Sequence, residues 1–374
     1  MTDPATPPVP AAAPASSPLV RAALLAYLFL IVYASCYPFT GWQNLGLSPL
    51  AYLNTTPPRY WTMFDVTTNI IGYIPLGTLL VFALYPVLRR YAALAAAIVI
   101  GSLLSGAMEA VQTYLPSRVP SNLDFATNTL GVALGAIFGM LSTGVFLDQG
   151  RLYFLRRRWF STRASRGLIV LALWPLAQVY PQASLFGHGQ FTPIVSEWMS
   201  ALLSSPVDLA TWMLGDIDLS VEQYWLAETI VTACGLVGAV LTLLYLLREE
   251  APKWSLVMSL VAAAVVVKTL ACALLFSPEN ALVWITPGAQ GGFLIGILML
   301  TGLTFAPAIA QRRVAVVALL MGLFIVNMVP TNPYFVETLQ NWLQGKFLNF
   351  NGAAEFLSIL WPFLALAFLL GSER

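Results

Sequence analysis

The chain has 374 residues, of which 58% are hydrophobic and 9% are charged, and its formal net charge is +1. A soluble domain carries about 25% charged residues, so this chain has too few charges to cover a soluble surface. The composition therefore excludes a soluble enzyme, a nucleic-acid-binding protein and a disordered chain, and it predicts an integral membrane protein.

The first 18 residues form a segment rich in proline and alanine. Such a composition has too little apolar surface to bury when the chain folds. Residues 1–18 are therefore predicted to be a disordered tail on the cytoplasmic side.

Ten segments further along approach the roughly 20 apolar residues that a membrane-crossing helix needs. They lie at 19–37, 69–88, 91–111, 125–147, 167–186, 226–247, 255–276, 282–305, 314–329 and 356–371. Lys and Arg concentrate in cytoplasmic loops, and most of them fall on one side if both termini are cytoplasmic. The sequence thus predicts an all-α, polytopic membrane helical bundle of about ten transmembrane helices. The expected location is the bacterial inner membrane.

The pattern of spans suggests two membrane domains joined by a basic linker. Residues 19–147 form a predicted four-helix domain, and 148–166 form a cytoplasmic linker with six Arg between 151 and 166. Residues 167–374 form a second domain of about six helices. Its longest outer loop, 187–225, carries acids but neither Lys nor Arg.

A short internal repeat marks the first domain. The pattern D-x-x-T-N-x-x-G occurs at 65–72 and at 124–131. Each copy starts a helix predicted to run from outside to inside, so the two helices should be parallel. Asp65 and Asp124 lie at helix starts, where the positive end of the helix favours a carboxylate. Either copy alone would also fit an ordinary cap followed by an asparagine that joins two helices.

The helix between the two copies carries a polar stripe. Ser102, Ser105, Glu109 and Gln112 recur at helical spacing, which places them on one face. A carboxyl group within the membrane needs a partner, and Arg118 in the following loop is the nearest candidate. Its guanidinium either bridges Glu109 and Asp124 or holds an anionic ligand.

These residues resemble the motifs of the VanZ-like family over roughly residues 27–147. The matching elements are YASCYPF (33–39), Asp65, Asn69, IPLG (74–77), Glu109, Gln112, Arg118, Asp124, Asn128 and Gly131. The resemblance implies a polytopic membrane protein, and the founding member of the family is linked to low-level resistance to the glycopeptide teicoplanin. It implies no mechanism.

The second half carries fewer polar residues. Lys268 is expected either to reach outward to the membrane surface or to pair with Glu228 or Glu279. His188, the only histidine of the chain, is expected to be exposed. Apolar residues at helical spacing between Ile194 and Leu203 predict a helix lying on the outer leaflet.

The favoured hypothesis is a binding protein of the cell envelope with an outward-facing polar cluster. The proposed ligand-binding residues are Asp65, Asn69, Glu109, Gln112, Arg118, Asp124 and Asn128. The expected partners are membrane lipids and a lipid-linked cell-wall precursor or a glycopeptide; no nucleic acid, metal or cofactor is expected. The alternatives are an intramembrane enzyme that uses the carboxylates with or without a divalent metal, a transporter or flippase, and a bundle whose polar residues only join helices.

Overall fold

The computed structural model describes residues 18–37, 39–54, 61–147, 151–161, 164–209, 212, 219–276, 278–330 and 348–371. The predicted disordered tail lies outside these ranges except for Pro18. Over the described residues the chain is helical and has no β-strand, which confirms an all-α membrane protein.

The helices follow one another in the order α1 (Pro18–Cys36), α2 (Met63–Leu84), α3 (Arg90–Gln112), α4 (Asn122–Phe146), α5 (Arg151–Trp159), α6 (Ala164–Ala177), α7 (Thr192–Leu203), α8 (Val221–Leu246), α9 (Lys253–Leu275), α10 (Pro287–Leu303), α11 (Ala308–Met328) and α12 (Leu348–Gly371). Short 3-10 turns occur at Ala51–Asn54 and Pro278–Asn280.

Among the described helices, eight are long and apolar enough to cross a membrane: α1, α2, α3, α4, α8, α9, α11 and α12. The shorter apolar helices α6 and α10 stand where the fifth and eighth spans were predicted. Ten crossings and cytoplasmic termini stay predictions.

The chain divides into two compact units, 1–153 and 154–374. The division falls within the predicted linker at 148–166. Each unit is described by itself below.

In the first unit, α2 packs most extensively on α4, and glycines make this close approach possible. A Cβ atom at Gly131 would meet the carbonyl oxygen of Ile70, and one at Gly135 would meet that of Ile74. Gly139 lies against Thr78 in the same way. The contacts advance in the same direction along both helices, so α2 and α4 are parallel, as the repeat predicts. Small residues permit such contact in a membrane, where the backbones themselves pack together.

In the second unit, α8 is the central helix. Most of its residues are buried, and it packs against α10 and α11. The indole rings of Trp174 on α6 and Trp361 on α12 lie 6.0 Å apart in the same core. A helix that is apolar on all sides is expected at such a position.

The segment after α6 folds into the second unit, and this corrects the prediction for His188. Its side chain is only 4% exposed, and its two ring nitrogens lie 2.5 and 2.6 Å from the amide nitrogens of Gln178 and Gln182. The expectation of an exposed histidine was wrong, because this loop supplies part of the packed interior.

The environment of Lys268 also differs from the predicted one, because this side chain is buried in the second unit. It is 2% exposed, and its Nζ donates to the carbonyl oxygen of Tyr180 at 3.3 Å, just beyond the end of α6. Within the described ranges it forms no ion pair with Glu228 or Glu279. Glu228 instead accepts a hydrogen bond from the Thr286 hydroxyl at 2.5 Å, and that hydroxyl caps α10.

The predicted surface helix at 194–203 is present as α7. Trp198 and Leu202 are exposed on it. On its polar side, the hydroxyls of Ser196 and Ser200 accept hydrogen bonds from the backbone of the following loop at 3.1 and 2.8 Å. Its contact with the outer leaflet stays a prediction.

Candidate functional site

The first copy of the repeat begins α2 with a closed capping arrangement. Thr62 is the N-cap, and its hydroxyl accepts from the backbone N–H of Asp65 at 3.1 Å. In return, Asp65 Oδ2 accepts from the Thr62 N–H at 3.0 Å and from its hydroxyl at 2.7 Å. This is the reciprocal pairing known as a capping box. Asp65 is exposed, and one of its oxygens is occupied by the start of its own helix.

The second copy begins α4 differently, because the N-cap residue of α4 donates its backbone N–H to an acid on another helix. Ser121 is the N-cap and accepts from the backbone of Leu123 and Asp124. The backbone N–H of Ser121 donates to Glu109 Oε2 of α3 at 2.8 Å, although Glu109 is only 3% exposed. Glu109 thus accepts the N–H that the third residue of a capping box would otherwise bind.

Asp124 turns toward α2 instead of back to its own cap. Its Oδ1 accepts from the amide of Asn69 at 2.9 Å, which joins the two copies of the repeat side chain to side chain. Asp124 also interacts electrostatically with Asp65 and with Glu109. Three carboxyl groups therefore lie close together where α2 and α4 begin.

The asparagine of the second copy lies one turn further along α4 and faces α3. Its Nδ2 donates to the hydroxyl of Ser105 at 3.1 Å, and Ser105 lies one turn before Glu109 on α3. Asn128 is 5% exposed, and its Oδ1 has no hydrogen-bond partner. The two asparagines of the repeat therefore have different contacts.

The remaining two predicted site residues bind the end of α1. Gln112 Nε2 donates to the Ser35 carbonyl at 3.0 Å. Arg118 donates through Nε to the Tyr37 carbonyl at 3.0 Å, and through Nη2 to the carbonyls of Tyr37 and, at 3.5 Å, Ala34. Burial lowers the pKa of Arg118. A cation is favourable at this end of a helix, because the free carbonyl groups give it a partial negative charge.

The position of Arg118 corrects the expectation that its guanidinium bridges Glu109 and Asp124. In the part of the chain that the structure describes, it forms an ion pair with neither acid. The structure thus brings together Asp65, Asn69, Glu109, Asp124 and Asn128, whereas Gln112 and Arg118 fix the end of α1. We call Asp65, Glu109, Asp124 and Asn128 the acceptor cluster, because each has a side-chain oxygen that is able to accept hydrogen bonds.

Two tyrosine side chains lie near Glu109 of the acceptor cluster. Tyr52 is buried, its hydroxyl lies 3.3 Å from the Gly106 carbonyl, and its pKa is raised by burial and then by the charge of Glu109. Tyr73 of α2 is buried next to Glu109 and Ser105. Among the described residues, no three His, Cys, Asp or Glu side chains are placed to hold a metal ion together.

The sequence-based selection did not include four residues that shape this site: Thr62, Ser121, Tyr52 and Tyr73. The two caps were detectable, because Thr62 and Ser121 each precede an aspartate by three residues, as in a capping box. The two tyrosines had no such signal, since aromatic residues are common throughout the spans.

Comparison with known protein families gives a match within the first unit. Residues 22–143 match the VanZ/LLP1 family, which confirms the resemblance inferred from the motifs over roughly 27–147. The match covers α2, α3 and nearly all of α1 and α4, and it includes every residue of the acceptor cluster. No curated protein matches the chain, and no solved structure does.

Proposed function

We propose, from the match of residues 22–143 to the VanZ/LLP1 family and the geometry of the acceptor cluster, that the first unit binds a ligand of the bacterial cell envelope. The ligand is lipid-linked or glycopeptide-like, and the cluster faces outward from the inner membrane. The resemblance to a family linked to teicoplanin resistance supports a role in tolerance of glycopeptides.

One observation carries the proposal: three carboxyl groups lie close together without a basic partner among the described side chains. Ionisable groups are costly to bury inside a membrane protein, and where they occur they often mark a functional site. Asp65 caps its own helix and Glu109 binds the start of α4, which are structural roles. Asp124 joins α4 to α2 through the Asn69 amide, a contact that a neutral side chain could also make.

The experiment compares teicoplanin susceptibility in a bacterial host that expresses the chain or one of two variants. Asp124→Asn removes the charge but retains an oxygen for the Asn69 amide, so the helix contact is preserved. Glu222→Gln is the matched control, since Glu222 is an exposed acid at the start of α8 in the other unit.

We expect the wild-type chain and Glu222→Gln to raise the inhibitory concentration of teicoplanin at least fourfold over the empty host. Asp124→Asn should give the value of the empty host at equal amounts of membrane-inserted protein. Equal protection by all three chains, or protection by none, would refute the proposed role.

A further inference from the structure

We infer that one end of the second unit binds the phosphate headgroups of anionic phospholipids. Seven basic residues form this surface, which we call the basic end: Arg157, Arg158, Arg166, Arg248, Lys253, Arg312 and Arg313. The VanZ/LLP1 match ends before the second unit begins, so the inference goes beyond the proposed function and is tested separately from it.

Two backbone hydrogen bonds join the segment between α5 and α6 to the end of α8. The Ser161 N–H donates to the Leu246 carbonyl at 3.0 Å, and the two segments run antiparallel. The Arg248 N–H donates to the Trp159 carbonyl at 2.8 Å. Lys253, the first residue of α9, follows the end of α8 after a short turn. The end of α5, the start of α6, the end of α8 and the start of α9 therefore lie together.

The ends of α11 and α12 reach the same level. A Cβ atom at Gly167, in the first turn of α6, would meet the side chains of Leu246 at the end of α8 and Phe368 near the end of α12. In the second turn of α11, Arg312 Nε donates to the Leu369 carbonyl of α12 at 2.6 Å. All the elements that carry the seven basic residues thus converge on one end of the unit.

The charge of this end is strongly one-sided. The described acids there are Glu249 and Glu250, and Glu250 is paired with Arg158 at 3.2 Å. Four basic side chains form no ion pair with a described acid: Arg166, Arg248, Lys253 and Arg313. A surface with so large an excess of one sign of charge attracts ions of the opposite sign.

Control of membrane topology does not by itself account for this excess. The basic end falls on the side predicted to be cytoplasmic, where Lys and Arg are expected. The rule concerns Lys and Arg, however, and acids contribute little to it. It would therefore permit acids to neutralise the surface, and the shortage of acids indicates that an anion from outside the chain does so.

Exposed aromatic side chains at the same level favour a lipid over a soluble anion. Trp254, next to Lys253 at the start of α9, is 55% exposed, and Phe154 of α5 is 58% exposed. Aromatic rings are enriched at the depth of the lipid headgroups. Because α8 and α9 are long enough to cross a membrane, the basic residues at their ends lie at this depth. A lipid phosphate there can bind the basic end while its acyl chains lie beside the helices.

The chemistry of the side chains sets the preferred headgroup. Six of the seven basic residues are arginines, whose guanidinium groups bind phosphate oxygens through two parallel N–H bonds. Phosphatidylglycerol carries a net negative charge, whereas phosphatidylcholine has a positive group that offsets its phosphate. Basic surfaces beside membrane helices accordingly favour anionic lipids.

The test uses the full chain, freed of lipid in detergent, and measures the dissociation constant of the first bound lipid by native mass spectrometry. The probes are phosphatidylglycerol, phosphatidylcholine and glycerophosphoglycerol, which is the anionic headgroup without acyl chains. The double variant Arg166→Gln with Arg248→Gln weakens the basic end. Arg89→Gln with Arg90→Gln is the matched control, since it removes the same charge from two exposed arginines of the first unit.

We expect the wild-type chain and the control to bind phosphatidylglycerol at least fivefold more tightly than phosphatidylcholine. In the variant of Arg166 and Arg248 the two lipids should differ less than twofold. Arg166→Lys with Arg248→Lys keeps the charge and should retain a preference of at least threefold. Melting temperatures near that of the wild-type chain show that a lost preference is not a loss of folding.

Three results would overturn the inference. A wild-type chain that binds both lipids equally has no anionic lipid site. An equal loss of preference in the variant and in the control shows a general attraction to the charge of the chain and not a site at the basic end. Binding of glycerophosphoglycerol as tight as that of phosphatidylglycerol shows a site for a soluble phosphate instead of a lipid.

Discussion

Four buried or partly buried ionisable side chains have their hydrogen-bond partners at the end of a helix or just beyond it. Glu109 accepts the N–H of Ser121 at the start of α4, and Glu228 accepts the Thr286 hydroxyl at the start of α10. Arg118 donates to carbonyls at the end of α1, and Lys268 donates to a carbonyl just after α6. Each sign matches the partial charge of the helix end that it meets.

This arrangement predicts how substitutions at Arg118 and Glu109 combine. Arg118→Met removes charge-assisted hydrogen bonds to the end of α1 and should cost about 1.5–3 kcal/mol. Glu109→Gln keeps an acceptor for Ser121 and should cost about 1 kcal/mol or less. Because the two side chains share no partner, their costs should add to within about 0.5 kcal/mol in the double variant.

The measurement is the free energy of unfolding of the four chains in detergent, obtained from denaturant titrations. An ion pair between Arg118 and Glu109 would give a different pattern. Breaking it from one side would cost about 3–5 kcal/mol, and the double variant would recover much of that loss. Such a recovery would contradict the contacts described above.

At the scale of the helices, the packing of α2 on α4 depends on positions where a methyl group has no room. A Cβ at Gly135 would meet the Ile74 carbonyl oxygen, so Gly135→Ala should push the helices apart and cost about 1–3 kcal/mol. Gly144 in the same helix has no neighbouring heavy atom within 4 Å, so Gly144→Ala should lie within about 1 kcal/mol of the wild-type chain. Thermal melting of both purified variants tests this difference. Equal melting temperatures would show that α2 and α4 tolerate a wider spacing.

The sequence predicts this pair of helices well but not what each side chain contacts. The repeat at 65–72 and 124–131 indicates two parallel helices that start with aspartate, and the structure has them. Arg118 was expected beside Glu109 because an opposite charge is visible in a sequence. The carbonyls of Ala34 and Tyr37 are equally good partners, but every residue carries a carbonyl, so the sequence does not single them out. His188 was misjudged for a similar reason, since burial of a loop depends on helices far away in the chain.

At the scale of the whole molecule, two of the apolar helices are too short to cross a bilayer on their own. The 14 residues of α6 are about 21 Å long, against a hydrocarbon thickness of about 30 Å. The residues that follow α6 are largely buried in the second unit, including Gln178 and His188. Non-helical backbone is tolerated at membrane depth when protein covers it. This supports α6 together with residues 178–190 as the predicted fifth crossing.

The prediction that follows concerns orientation. If α6 and its buried extension cross the membrane, a reporter fused after residue 209 should lie outside, and one fused after Arg374 should lie in the cytoplasm. Paired reporters that are active on only one side of the membrane measure this in a bacterial host. A C-terminal fusion active on the outer side would contradict ten crossings.

The matching of buried charges to helix ends has a consequence for the response to ionic strength. Dissolved ions weaken attraction between exposed charges over about 10 Å at 0.1 M salt, but they reach buried contacts poorly. By contrast, the ion pair between Arg158 and Glu250 joins two side chains that are both well exposed. The contacts of Glu109, Glu228, Arg118 and Lys268 are made with backbone groups or with a capping hydroxyl inside the bundle. The stability of each unit should therefore depend weakly on ionic strength. The approach of a charged ligand at the membrane surface should depend on it much more strongly.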